Sequence, residues 1–281
     1  MINYININNK ILATKKAYIL AQDRGFRFGD GVFETCLIKD GIVYNLAAHI
    51  TRLNGGLKAI RIAFDTQDII SSCYRLISKN NIQNGYLRIA ISRGVGSAGY
   101  LPIKNIKPTL VIEILKNNSK PKLPIKLCIS SIEKPSPKSM PTGHKLMQGL
   151  NSILAKMEAT DNNCFDAIIL NNEQQICETS SANIFWTKNN VLYTPHQDSG
   201  CLQGTIRDKI IALSPIRVQL TKTKLNDLLN ADEVFITNVA IGVLAIDKIC
   251  NQEFGNQNYS KIITNLLRQD INNYVKKAKM V

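Results

Sequence analysis

The chain has 281 residues, 44% of them hydrophobic, and carries 35 Lys and Arg against 21 Asp and Glu, a formal charge of +14. That length holds one large domain or two modest ones. The longest apolar runs are a handful of residues, well short of the roughly 18 that span a bilayer, so no membrane segment is expected.

The basic excess admits nucleic acid, a membrane surface or an anionic small molecule as partner. The basic residues are spread along the chain, and only Lys276-Lys277-Ala278-Lys279 is clustered. A nucleic-acid binder needs a basic stripe with interleaved aromatics or a known motif, and neither is present. A small anionic substrate fits better. The start, M-I-N-Y-I-N-I-N-N-K, has no basic region leading into an apolar core, so no signal peptide is expected. Seven cysteines are scattered without a C-x-x-C pair. That pattern points to free thiols in a reducing cytoplasm, with no disulfide frame and no metal site.

In chain order, Ile5 and Ile7 alternate with Asn6 and Asn8 as in a strand. Asp23 to Gly31 is a polar, glycine-rich turn. Val32 to Ile38 and Ile42 to Asn45 flank Asp40-Gly41, a strong hairpin signal. Helical spacing marks Leu46 to Ile60, weakened by Gly55-Gly56, and a second helix covers Asp68 to Lys79. Strands follow at Tyr86–Arg93 and Thr109–Leu115. This is an α+β unit with an antiparallel sheet, occupying residues 1–116. The polar, proline-bearing stretch 117–124 is the best linker in the chain. A second domain then runs over 125–281. In it we expect a strand at Ile125–Ile132, a loop at Pro135–Gly143 and a helix at Leu150–Ala159. A four-strand meander follows from Phe165 to Thr194, then a helix at Gly204–Leu213. Short elements at Val218–Leu220, Lys224–Asn230, Asp232–Asn238 and Val243–Ile246 lead to an amphipathic helix at Ser260–Lys279.

Several residues stand out chemically, each against an ordinary alternative. Lys145 follows a Pro/Gly/Thr loop and precedes a helix. Most lysines are merely solvated, but a partly buried one can supply a neutral amine and form a Schiff base. Glu178 ends the strand Q-I-C-E. It is either an edge carboxylate or the partner of a pyridine nitrogen, keeping that ring protonated as an electron sink. Gly204-Thr205-Ile206-Arg207 opens a helix, as ordinary capping or as a phosphate cup of exposed N–H groups. Arg52 either makes a salt bridge or grips phosphate bidentately. His49 more readily orients a loop than catalyses, and His144 is either an ordinary histidine or a pocket group, its place next to Lys145 in sequence saying little. Arg93-Gly94-Val95-Gly96-Ser97-Ala98-Gly99 lacks the lysine of a P-loop, so nucleotide binding is not expected.

Taken in order, D-R-G-F-R-F-G-D-G-V-F-E-T, H-I-T-R-L, Lys145, E-T-S-S-A-N-I-F-W, L-Y-T-P, G-T-I-R and A-D-E-V-F-I-T-N resemble the class IV aminotransferases, the fold-type IV pyridoxal phosphate enzymes. The resemblance runs over nearly the whole chain. It implies a small α+β N-terminal domain, a larger pseudo-barrel C-terminal domain, pyridoxal 5'-phosphate as cofactor and a homodimer. It also implies that Lys145 and Glu178 are catalytic. Arg52, Gly204, Thr205, Ile206 and Asn238 would join them in holding the cofactor.

Among the family's patterns the nearest is that of the 4-amino-4-deoxychorismate lyases, through Ile91 to Tyr100, Ala182 to Trp186 and Thr237-Asn238. The branched-chain aminotransferases usually place tyrosine where Leu150 stands. The D-amino-acid enzymes carry tyrosine at Phe33 and an Arg-x-His pair in the loop that here reads Ala98-Gly99-Tyr100. Both remain the alternative. This chain departs from the lyase pattern at Ala98, where arginine is common, at Gln148, and in the order of Thr205-Ile206. Phe33, Arg93, Tyr100 and His144 are the expected substrate contacts.

Overall fold

The computed structural model describes residues 2–116 and 124–280. The described chain divides into two compact units. One comprises Met1–Asn118, His144–Gly149 and Asn273–Val281, the other Ser119–Gly143 and Leu150–Asn272. Both His144–Gly149 and Asn273–Val281 group with the N-terminal segment, whereas the sequence placed them in the second domain. The expected linker lies outside the described residues except for Pro124.

The first unit begins with β1 (Tyr4–Ile7) and β2 (Lys10–Ala13). The expected turn after Asp23 contains a short helix, α1 (Arg24–Phe28). The Asp23 side chain accepts the Gly25 N–H, and Gly29 closes the helix at φ +64°. β3 (Gly31–Lys39) and β4 (Ile42–Val43) form the expected hairpin. α2 (Leu46–Ala59) and α3 (Ile69–Asn80) follow, then β5 (Gly85–Ser92) and β6 (Thr109–Leu115). The six strands lie in the order β2-β1-β6-β5-β3-β4, and every pairing is antiparallel. Val32, Cys36 and Ile38 alternate onto one face, where Leu87, Ile89, Ile91, Leu110, Ile112 and Ile114 join them. Leu53, Leu57, Leu76 and Ile77 of the two helices complete that core. Gly55 and Gly56 do not break α2. A Cβ on Gly56 would lie 3.0 Å from Val32, and one on Gly55 would lie 3.2 Å from His144. The glycines let the helix approach these residues, and its buried leucines outweigh the propensity cost of about 1 kcal/mol per glycine.

In the second unit, β7 (Lys126–Ile129) precedes α4 (Leu150–Asp161), β8 (Asp166–Leu170) and β9 (Ile176–Thr179). Next come β10 (Asn183–Lys188), β11 (Val191–Pro195), α5 (Thr205–Leu213), β12 (Val218–Thr221), α6 (Leu225–Leu229), β13 (Glu233–Asn238) and β14 (Gly242–Ala245). β15 (Lys248–Ile249) and β16 (Gln252–Glu253) were not expected, and α7 (Asn258–Ala278) ends the described chain.

The expected meander is divided between two sheets. β8 and β9 belong to β16-β15-β7-β8-β9, while β10 and β11 belong to β12-β11-β10-β13-β14. The chain changes sheets at Thr179–Ala182, where the Thr179 N–H donates to the Ala182 carbonyl at 2.8 Å. Ile168, Ile176, Ile184, Trp186, Val234 and Ile236 pack in one core drawn from both sheets. β9 and β10 are buried at nearly every position, unlike the half-exposed strands of a solvated meander.

Candidate active site

In the first unit, residues 145–147 run beside the start of β3. The Phe33 N–H donates to the Lys145 carbonyl and the Met147 N–H to the Gly31 carbonyl, each at 2.9 Å. This pairing fixes the backbone of Lys145 and sets its Nζ 4.4 Å from the centre of the Phe33 ring. Arg88 approaches the same ring at 4.2 Å. Two expected site residues, Lys145 and Phe33, are thereby brought together.

On the core side of β3, Glu34 is fully buried, and α2 supplies its partners. Arg52 donates from Nε to Oε1 at 2.7 Å and from NH2 to Oε2 at 2.6 Å, and His49 Nδ1 lies 2.7 Å from Oε2. Burial alone would raise the Glu34 carboxyl, but the hydrogen bonds and charges of Arg52 and His49 outweigh it and hold it below the ordinary value. Spacing explains the cluster: His49 and Arg52 are one helical turn apart and share a face. The salt bridge weighed as the ordinary reading of Arg52 is therefore present, with two of its three guanidinium nitrogens set on Glu34. Beside Gly55, His144 is pushed down by burial and then by the Arg52 charge, which leaves its imidazole neutral at pH 7.

Arg93 and Tyr100 belong to a second cluster in this unit. Arg93 donates to both oxygens of Asp30 and to the carbonyls of Ile60 and Arg61, at 2.7–3.0 Å. Its guanidinium joins the end of α2 to the turn before β3. Arg24 completes that cluster through Asp30 and binds the carbonyls of Gly99 and Tyr100 at 2.7 and 2.8 Å. The Tyr100 ring lies 5.7 Å from Phe28 and is 89% exposed in this chain.

In the second unit, Glu178 is the pivot. Its Oε1 meets the Lys134 ammonium; its Oε2 accepts from the Leu202 N–H at 3.0 Å and from Asn183 Nδ2 at 3.4 Å. Cys177 and Cys201 flank this group. Burial first, then the Glu178 charge, pushes their thiols up to about 12 and about 11. The loop after Glu178 is held by a fully buried carboxylate, Asp166, which accepts the hydroxyls of Thr179, Ser180 and Ser181.

Gly204 precedes α5 and has no side chain to cap it. A Cβ there would collide with Asn183 Oδ1, so only glycine lets the helix start sit so close. Thr205 and Ile206 in the first turn are buried. Arg207 donates to the Pro195 carbonyl at 2.9 Å, while its buried Nε has no hydrogen-bond partner among the described residues. Asn238 uses its amide within the fold, accepting from the Ala240 and Ile241 N–H groups and donating to the Ser181 carbonyl. Sequence reasoning missed Lys134, Asp166 and the Glu34 cluster; a lysine before a proline or an aspartate opening a strand gives no local signal.

Similarity to known proteins now adds the class. The fold is like that of the branched-chain amino acid aminotransferase of a T.th. strain, solved with pyridoxamine 5'-phosphate. The TM-score is 0.89 at 22% identity, over 96% of this chain and 94% of that one. The amino-transferase class IV family pattern matches residues 31–249, and this chain belongs to that family of enzymes. A Methanocaldococcus jannaschii protein provisionally named a branched-chain-amino-acid aminotransferase is 32% identical over 93% of each chain. The aminodeoxychorismate lyase of Bacillus subtilis is 29% identical over 94% of this chain and 96% of its own.

Proposed function

We propose that this chain is a pyridoxal phosphate-dependent 4-amino-4-deoxychorismate lyase, releasing 4-aminobenzoate and pyruvate for folate synthesis. Pyridoxal 5'-phosphate is the cofactor of the enzyme class. The residues present fit it: an uncapped helix start at Gly204, an orphaned buried Arg207 Nε and a buried carboxylate at Glu178. Lys145 would hold the cofactor through its amine. Thr205, Ile206 and Arg52 would take its phosphate, and Glu178 would keep a proton on its ring nitrogen. When bound, the cofactor supplies a ring that accepts the electron pair left as a proton departs from the amine-bearing carbon.

Lys145 Nζ would take that proton as general base and return one to the departing enolpyruvyl group. Neutral His144, beside Lys145 in sequence, would line the substrate site. Phe33 would hold the lysine over an apolar ring face. One observation carries the choice of lyase. The aromatic ring against Lys145 belongs to a phenylalanine, so the hydroxyl of the D-amino-acid pattern is missing there, and Leu150 likewise stands where the branched-chain pattern has tyrosine. A homodimer in a reducing cytoplasm completes the reading.

The second reading, an aminotransferase for D- or branched-chain amino acids, draws on the 32% identical relative. A paired assay separates them. 4-Amino-4-deoxychorismate should yield equal amounts of 4-aminobenzoate and pyruvate, while 2-oxoglutarate should gain no amino group from either amino-acid class. Transfer without 4-aminobenzoate would reverse the choice.

A further inference from the structure

Lys134 belongs to none of the motifs, yet it is held closely beside Glu178. Its backbone N–H donates to the Leu170 carbonyl at 2.8 Å. Its stem passes Gly200, where a Cβ would lie 3.3 Å from Lys134 Cγ. Its side chain is only 11% exposed, and its ammonium ends on Glu178 Oε1. Buried lysines are costly unless paired. Burial pulls this ammonium down, but the charge and hydrogen bond of Glu178 outweigh it, and the net displacement is upward. Cys177 and Cys201 stay neutral thiols at ordinary pH, and Arg207 lies on the Cys201 side. Asn183 and the Leu202 N–H contribute dipoles to the other oxygen.

An interior carboxylate without a cation takes up a proton more readily, and a protonated one is a weaker acceptor for a protonated ring nitrogen and offers it no counter-charge. Resting on the role given above to Glu178, we propose that Lys134 is a positioning residue of the cofactor site. Its ammonium fixes the Glu178 carboxylate through one oxygen and orients the other before the cofactor arrives. Three elements then set one carboxylate: the segment after β7 through Lys134, β10 through Asn183, and the approach to α5 through Leu202.

The test titrates the full chain, stripped of cofactor, with pyridoxal phosphate between about pH 5 and 8 and follows near-visible absorbance. Lys134→Met should bind more weakly, with the deficit growing to about tenfold as pH falls towards the acid end of the range. Lys134→Arg should restore both affinity and pH profile. In a Glu178→Gln background, Lys134→Met should add no pH dependence, and this double variant carries no unpaired buried charge should the single one fold poorly. A purely structural lysine would lower the unfolding temperature of the cofactor-free chain without changing the pH profile, and that result overturns the proposal. If Glu178→Gln itself binds cofactor with wild-type affinity and spectrum, the role of Glu178 falls and the proposal with it. If Glu178→Gln is impaired while Lys134→Met is not, Lys134 alone falls.

Discussion

Glu34 shows how a charge survives in a core. It is fully buried, and both of its oxygens are matched by Arg52 and His49. Removing one member of such a group leaves the others buried without compensation, so Glu34→Gln should cost about 3 kcal/mol in urea unfolding at pH 7. The pH dependence has a definite sign. The folded-state carboxyl lies below the ordinary 4.5, so its stabilisation is in place above that value and is lost as pH falls through the folded value. The gap between wild type and Glu34→Gln should therefore narrow in acid; a gap unchanged at about pH 3 would contradict the assignment. The two residues given chemical roles separate by their readouts. Lys145→Ala should lose the near-visible absorbance of bound cofactor, and its retention would refute the role of that lysine. Glu178→Ala should bind cofactor more weakly and, even when saturated with it, lose most turnover; near-normal rates would do the same for the glutamate.

Two glycines test what the elements need. Gly94 has φ +96°, and a Cβ there would run into the Lys107 carbonyl. It connects β5 to the loop that Arg24 organises, since its carbonyl accepts from the Arg24 N–H at 2.9 Å. Gly94→Ala should lower stability by about 1–3 kcal/mol, seen as a drop in unfolding temperature. At the start of α5, Gly204→Ala should displace Asn183, which also contacts Glu178. Here the expected loss is in pyridoxal phosphate affinity, measured by titration, and wild-type affinity would mean that the helix start does not seat the phosphate. Most element positions were legible because strand alternation and helical spacing are local patterns. The division of the meander was not. Runs such as I-C-E-T and N-I-F-W-T-K mark strands buried on both faces, and a buried strand carries no sign of which neighbour it will pair with.

Across the whole molecule, burial sorts the seven thiols. Cys250 is exposed, Cys128 and Cys164 are half-buried, and Cys36, Cys73, Cys177 and Cys201 are buried. A thiol reagent should modify Cys250 first, with the four buried ones reacting only on unfolding, and peptide mapping reads the order. Fast labelling of Cys177 or Cys201 in the native protein would contradict the packing around Glu178. Cofactor removal is a second global measurement. A ligand bound only by the folded state raises its stability by mass action, so stripping pyridoxal phosphate should lower the unfolding temperature. No helix among the described residues is long and apolar enough to cross a membrane. Nor do the described residues gather a group of His, Cys, Asp or Glu able to hold a metal.

By itself the sequence determined most of the element order, the family pattern and the residues, Lys145, Glu178, Arg52 and the Gly204 helix start, on which the chemistry is proposed to rest. These were legible because each sits in a short run whose spacing carries meaning. Only the tertiary structure decided that Lys134 meets Glu178 across 44 positions of chain, that Asp166 gathers three hydroxyls, and that Arg93 is tied to Asp30. Such pairings depend on which strands become neighbours, and a buried charge selects its partner from whatever the fold brings within reach.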